Sequence, residues 1–173
     1  MGLALLLGGA RAGKSRLAVR LASGSGLPVV VIATAEPRDE EMRVRIARHR
    51  ADRPADWSTI EEPLDLERAL ATVPSGSMAI VDCLTLWVAN EMEAGRSNEE
   101  IEMRARNAAL LGAAGHTVAV SNEVGSGTVP MHPLARRYRD VLGAVNAAWA
   151  EAAERTWLVV AGKALPLTDP AVP

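Results

Sequence analysis

The sequence predicts an α/β fold in which helices cover both faces of a mostly parallel β-sheet, giving three layers. Short apolar runs rich in β-branched residues alternate with longer segments of helical periodicity along the 173 residues, a pattern typical of βαβ units. A glycine-rich stretch follows the first apolar run directly. Since 49% of the residues are hydrophobic, the chain can bury one core, and we expect a single domain over residues 1–173.

The first half of the chain supplies three predicted strands and three predicted helices. In order they are strand Leu3–Leu7, helix Lys14–Ala22, strand Pro28–Ala33, a charged helix from Pro37 to about Ala51, edge strand Trp57–Ile60 and helix Leu64–Ala71. The first run is unbroken and apolar, as in a strand buried on both faces. The second is rich in valine, which favours strands. Pro54 cannot continue the charged helix.

The second half repeats the alternation. Its predicted elements are strand Met78–Asp82, helices Leu84–Glu93 and Asn98–Ala114, strand Thr117–Ser121, a loop over 122–130, helix Pro133–Glu154 and strand Trp157–Ala161. Ser97 and Glu100 have the spacing of a capping box at the start of the second helix, and Gly115 is placed to end it. The strand at 157–161 closes the predicted set, because the tail from Lys163 onward shows no usable pattern.

Composition and charge narrow the possible functions. The formal net charge is −2 and the isoelectric point is near 5.9, so there is no basic field for sequence-independent binding of nucleic acid. No run approaches the ~20 apolar residues of a membrane helix, and the opening apolar run is too short and lacks a basic leader for a signal peptide. Cys83 is the only cysteine; we expect it to be a small core residue in a cytoplasmic protein.

The glycine-rich stretch predicts a phosphate-binding loop. It matches G-x-x-x-x-G-K-[ST] and lies between a buried strand and a helix, the context that this P-loop motif requires. Its residues are Gly8, Gly9, Ala10, Arg11, Ala12, Gly13, Lys14 and Ser15. Backbone N–H groups and the helix N-terminus would bind the phosphates. We expect Lys14 to reach the β- and γ-phosphates and the Ser15 hydroxyl to bind Mg²⁺.

Asp82 is predicted to be a second part of the same site. It ends the buried run that begins at Met78, the Walker B arrangement in which an acid at a strand end holds Mg²⁺ directly or through water. The alternative is that Asp82 caps the helix that begins at Leu84.

The charged helix carries a histidine among arginines. Met42, Ile46, His49 and Arg53 share one helix face, since they are spaced by four, three and four residues. Further arginines flank the histidine at positions 45, 48 and 50, which indicates that an anion binds near the imidazole. The alternative is a partly buried structural histidine on a solvated basic helix, and these residues taken alone favour it. The three histidines and one cysteine have no metal-ligand spacing.

Ordered motifs along nearly the whole chain indicate a family. They are Gly8–Ser15, Ile32–Ala35, Asp39–Met42, Arg45-Ile46 with His49-Arg50, Arg53-Pro54 before Trp57, Val81–Thr85, Ser121–Gly125 with Gly127, Val129 and Pro130, and Leu134–Arg137 with Arg139-Asp140. In this series the chain resembles the bifunctional adenosylcobinamide kinase/adenosylcobinamide-phosphate guanylyltransferase family of cobalamin biosynthesis. Ala12 departs from the serine that is usual there, and since backbone amides dominate the cradle, we expect nucleotide binding to survive.

This resemblance implies two reactions: phosphorylation of adenosylcobinamide by ATP or GTP, then transfer of GMP from GTP to the new phosphate through a covalent GMP-histidine. His49 matches the histidine that carries GMP. The positions matching the GTP contacts are Gly8 to Ser15, Ala33, Thr34, Ala35, Arg50, Ala51, Asp52, Arg53, Glu61 and Asp82. The resemblance also implies a RecA-like fold and a homotrimer.

Two alternatives remain at this point. A monofunctional small-molecule P-loop kinase would use the same loop and leave His49 structural. The other alternative is a nucleotide-gated switch or a RecA-like nucleic-acid-binding module. No asparagine here is followed by lysine, so the guanine-reading N-K-x-D element of switch GTPases is missing. The acidic isoelectric point disfavours a protein that forms filaments on DNA.

Overall fold

A computed structural model describes residues 2–169. Its strands are β1 (Leu3–Leu7), β2 (Val29–Ala33), β3 (Ser58–Glu61), β4 (Met78–Asp82), β5 (His116–Val120), β6 (Arg155–Val160) and β7 (Lys163–Leu167). Its helices are α1 (Lys14–Ser23), α2 (Glu40–Ala51), α3 (Leu66–Ala71), α4 (Leu84–Glu93), α5 (Asn98–Ala114) and α6 (Pro133–Ala152). No helix in this part of the chain is long and apolar enough to cross a membrane.

The strands form one seven-stranded sheet in the order β3-β2-β4-β5-β1-β6-β7. Every neighbouring pair is parallel except β6 with β7. The mostly parallel sheet predicted from the sequence is therefore confirmed. Because parallel strands run in one direction, the segments that follow β1, β2, β3, β4 and β5 all emerge at the same edge.

Alternate residues of each central strand pack into different cores, which gives the three layers. Leu3 and Leu5 of β1 join the side chains of α3, α4, α5 and α6 on one face. Ala4 and Leu6 join the face covered by α1. Trp87 and Trp149 are fully buried in the larger core. Both faces of the strands are thus apolar, as their unbroken hydrophobic runs predicted.

Caps set several helix ends at the predicted residues. Ser97 and Glu100 form the complete capping box of α5, and Gly115 follows its last turn. The charged helix predicted from Pro37 begins at Glu40 instead, because Asp39 caps it by accepting from the N–H of Met42. The helix predicted from Leu64 begins at Leu66 instead, because the Asp65 side chain accepts from the Arg68 N–H.

The C-terminal prediction differs from the structure at α6, at β7 and at β6, which spans Arg155–Val160 rather than 157–161. Helix α6 ends at Ala152 rather than Glu154, because the Glu154 N–H already donates to Leu3 O and the chain turns to pair with β1 from Arg155. The predicted set also stopped at residue 161, whereas Lys163–Leu167 forms β7 at the sheet edge. All five residues of β7 are exposed, so it carries no apolar pattern. The predicted edge strand at 57–60 lies one residue later, at 58–61.

Candidate active site

The predicted site segments meet at the carboxyl edge of the sheet. Ala33 pairs with Asp82 on one side and with Glu61 on the other, so three strand ends lie in register there. The loop after β1 holds Gly8 to Gly13, and the loop after β5 begins at Ser121, whose N–H donates to Leu6 O. This arrangement is that of ligand sites in parallel α/β sheets.

Glycine geometry shapes the phosphate-binding loop. Gly8 has φ +149°, and a Cβ there would lie 2.2 Å from Val159 O of β6. Gly13 has φ +102° and caps α1 without a side-chain bond, which leaves first-turn N–H groups of the helix available to an anion. The turn between β6 and β7 supports the loop from outside, since Gly162 N donates to Ala12 O at 2.8 Å.

Lys14 is buried, with 6% of its surface exposed. Its Nζ donates to Gly8 O at 2.9 Å, Gly9 O at 2.8 Å and Asn122 Oδ1 at 2.6 Å. Burial lowers the pKa of the ammonium, and the charge of Asp82 acts against that shift. The ammonium therefore lies inside the loop, in the electrostatic range of the β4 carboxylate.

Asp82 does not cap α4. That helix is capped at Cys83 without a side-chain bond, and the carboxylate turns the other way: Oδ2 accepts from Arg53 at 2.9 Å and lies 3.6 Å from His49 Nδ1. Burial raises the pKa of Asp82, but the neighbouring His49 and Arg53 outweigh it, so its pKa is lowered from the ordinary value. The alternative of a helix cap is wrong, and Asp82 is a charged acceptor in the site.

Helix α2 stands over this carboxylate and forms one wall of a cavity of about 550 Å³. No residue of α2 is buried; its predicted apolar stripe, Met42 and Ile46, lines the cavity rather than a core. His49 is 29% exposed at its side chain. Of the predicted site residues, the cavity lining includes Ala33, Ala35, His49, Arg50, Arg53, Glu61 and Asp82.

Other predicted residues take different positions. Ala51 and Asp52 end α2 on its exposed side and are not part of the cavity lining. The buried Thr34 Oγ1 accepts from Cys83 N at 2.9 Å and donates to Cys83 O at 2.8 Å, so this hydroxyl joins two strand ends. Arg50 forms an ion pair with Glu61 across the cavity.

Cys83 was predicted as a core residue, and the structure modifies this. It is half-buried, packs against the α1-side core and also lines the cavity. Burial raises the pKa of its thiol to about 11, so the thiol is protonated near neutral pH. It belongs to the wall of the site rather than to the interior.

The oxygen groups of the site suit Mg²⁺. This ion is held in proteins by one or two carboxylates together with substrate phosphates, and the Asp82 carboxylate and the Ser15 hydroxyl are hard oxygen donors of that kind. No cluster of three or more His, Cys, Asp or Glu side chains within residues 2–169 could hold a metal without a ligand. A metal here would therefore depend on phosphate oxygens.

Comparison with known proteins identifies relatives. Residues 4–167 match the model of the family described as cobinamide kinase / cobinamide phosphate guanyltransferase. The bifunctional adenosylcobalamin biosynthesis protein CobP of Pseudomonas aeruginosa is 48% identical over 165 residues, covering 94% of this chain and 95% of the relative. The protein CobU of Escherichia coli, with the same description, is 36% identical over 173 residues, covering 91% of this chain and 95% of the relative.

Solved structures support the fold alone. The RadB recombinase superposes with a TM-score of 0.52 at 18% identity, covering 91% of this chain and 73% of that one. The flagellar accessory protein FlaH from Methanocaldococcus jannaschii gives 0.52 at 14% identity, covering 96% and 78%. These neighbours confirm the predicted P-loop α/β fold of RecA-like type, and the sequence relatives show that the chain belongs to the cobinamide kinase/cobinamide phosphate guanyltransferase family.

Proposed function

We propose that this chain catalyses two successive reactions: it phosphorylates adenosylcobinamide with ATP or GTP, then transfers GMP from GTP to adenosylcobinamide phosphate, giving adenosylcobinamide-GDP. The observation that supports this best is the contact of His49 with Asp82, the carboxylate whose charge also acts on Lys14 of the phosphate-binding loop. A nucleophile close to the phosphate cradle suits nucleotidyl transfer, whereas a kinase alone needs no histidine there.

The kinase step uses the loop. The hydroxyl oxygen of adenosylcobinamide attacks the γ-phosphorus and its proton passes to solvent, while the β–γ bridging P–O bond breaks and the nucleoside diphosphate leaves with the bridging oxygen. Lys14 supplies positive charge to the transferring phosphoryl group, and the loop amides from Gly8 to Ser15 hold the phosphates. Mg²⁺, held by Ser15 and Asp82, would neutralise charge on the phosphate oxygens.

The guanylyl step uses His49. Its Nδ1 faces Asp82, which leaves Nε2 as the nitrogen free to attack the α-phosphorus of GTP. An N–P bond forms, the α–β bridging bond breaks, and pyrophosphate leaves. A phosphate oxygen of adenosylcobinamide phosphate then attacks the same phosphorus, the N–P bond breaks, and neutral imidazole is restored. Arg50 near the end of α2 and Arg53 just beyond it both line the cavity and would stabilise the leaving pyrophosphate.

The remaining predicted contacts complete a nucleotide site. Ala33, Thr34 and Ala35 would contact GTP through the segment after β2, and Ala51 and Asp52 through the backbone at the end of α2. Glu61 would contact the guanine or ribose edge once its pair with Arg50 opens. The half-buried walls and the volume of about 550 Å³ suit a small-molecule ligand.

We also propose a single catalytic domain over residues 1–173, assembled as a homotrimer in the cytoplasm and without affinity for nucleic acid. The acidic isoelectric point near 5.9 supports the last point. Light scattering after size-exclusion chromatography tests the trimer, and a gel shift with DNA at low salt tests nucleic-acid binding.

Product analysis by mass spectrometry tests the proposed function. Purified protein with adenosylcobinamide, ATP and Mg²⁺ should give the phosphate, and addition of GTP should convert it to adenosylcobinamide-GDP. A monofunctional kinase would stop at the phosphate after GTP is added. Absence of both products would contradict the proposal.

A further inference from the structure

The Lys14 ammonium uses all three of its N–H donors in hydrogen bonds within the protein. They point to Gly8 O, Gly9 O and, at the shortest distance of 2.6 Å, Asn122 Oδ1. For Lys14 to contact a phosphate oxygen, at least one of these bonds has to be exchanged. Which bond is given up decides where the ammonium lies when a triphosphate binds.

The two carbonyl bonds can be exchanged at low cost. Gly8 O also accepts from Glu123 N at 3.1 Å, and Gly9 O also accepts from Ala12 N at 3.2 Å. Both carbonyls stay hydrogen-bonded if Lys14 leaves them. Asn122 Oδ1, by contrast, accepts from Lys14 and from no second donor within residues 2–169. Losing that bond would leave a partly buried acceptor unsatisfied. The Asn122 bond is therefore the one to be kept.

Asn122 is also held rigidly. Its N–H donates to Thr85 Oγ1 of α4 at 2.8 Å, and its carbonyl accepts from Asn146 Nδ2 of α6 at 3.0 Å. Thr85 and Asn146 are both buried. Because an ammonium only donates, the carboxamide oxygen must face Lys14, and the amide Nδ2 is directed elsewhere as a second donor beside the ammonium.

We propose that Asn122 recognises the terminal phosphate of the bound nucleotide: its oxygen keeps the Lys14 ammonium at the mouth of the loop, and its amide nitrogen donates to the γ-phosphate. This rests on the proposed function only in requiring a nucleoside triphosphate in the loop. Asn122 belongs to the matching segment Ser121–Gly125, to which the reaction steps above give no role.

The test is the preference of the loop for a triphosphate over a diphosphate. Calorimetry with Mg²⁺ measures the dissociation constants of ADP and of β,γ-imido-ATP. The ADP constant divided by the β,γ-imido-ATP constant reports contacts to the terminal phosphate. Asn122→Ala should reduce the ratio about tenfold or more, since hydrogen bonds to charged groups contribute about 1.5–3 kcal/mol. Asn107→Ala, the same change at an exposed position of α5, should leave it within about twofold.

Asn122→Asp provides a second variant. It keeps an acceptor for Lys14 but removes the amide donor and adds negative charge, so the ratio should fall at least as far as in Asn122→Ala. An unchanged or higher ratio in both variants overturns the role of Asn122, and so does a parallel loss of both affinities, which signals general damage to the loop. Wild-type protein that binds neither nucleotide overturns the proposed function together with this inference.

Discussion

Replacing Gly8 by alanine should destabilise the protein strongly. The added Cβ would lie 2.2 Å from Val159 O, whereas real contacts of this kind do not fall below 3.0 Å, so the two groups must separate by about 0.8 Å. Val159 is fully buried in β6; the preceding Leu158 pairs with β1 and Val159 itself pairs with β7, so its carbonyl cannot move away. Strain at φ +149° adds about 1–3 kcal/mol to an overpacking cost of about 1–3 kcal/mol.

The expected loss is therefore about 2–6 kcal/mol of the free energy of unfolding, a large part of the ~5–15 kcal/mol that holds most domains folded. Urea unfolding followed by the fluorescence of the buried Trp87 and Trp149 measures it. Gly127→Ala is the matched control, because a Cβ there meets nothing within 4 Å, and it should change stability by less than about 0.5 kcal/mol. If the free energy of unfolding of Gly8→Ala equals that of the Gly127→Ala control, β6 does not constrain the phosphate-binding loop.

Three further changes test separate parts of the account. Lys14→Ala should reduce the rate of phosphorylation ~10²-fold or more, because a transition-state charge contact is lost; a folded variant that keeps most of the wild-type rate would contradict the loop assignment. Asp82→Asn should raise the Mg²⁺ concentration needed for half-maximal turnover about tenfold or more, and an unchanged titration curve would contradict its metal role. Glu91→Ala should reduce the free energy of unfolding by about 2–4 kcal/mol, since Glu91 is fully buried between the partly exposed Arg96 and Arg104. A reduction below about 1 kcal/mol would contradict a stabilising role for these ion pairs.

The elements predicted best are those whose signals are local. Strand β4 and helices α4 and α5 occur at the predicted residues, because an unbroken apolar run and a capping box depend on neighbouring residues. Strand β7 could not be predicted, since its five residues are exposed and include Pro166 in an antiparallel edge position. Its position depends on pairing with β6 rather than on burial.

The site likewise has features that local sequence patterns predict and contacts that they do not. The motif from Gly8 to Ser15 and the strand-end Asp82 are visible in the sequence, because each depends on adjacent residues. The bond between Lys14 and Asn122 joins positions 108 residues apart, and the pairing of Thr34 with Cys83 joins positions 49 apart. No local pattern encodes such contacts, and only the topology of the sheet brings these segments together.

Covalent labelling by α-³²P-GTP tests the central claim, that His49 carries GMP. Wild-type protein should take up label that survives alkali and is lost in acid, as expected of a phosphoramidate, and His49→Ala should take up none while still phosphorylating adenosylcobinamide. His132→Ala should label normally, because His132 caps α6 by accepting from the Leu134 N–H. An unlabelled wild-type protein, or a His49→Ala variant labelled as strongly as wild type, would contradict the mechanism and favour the monofunctional kinase.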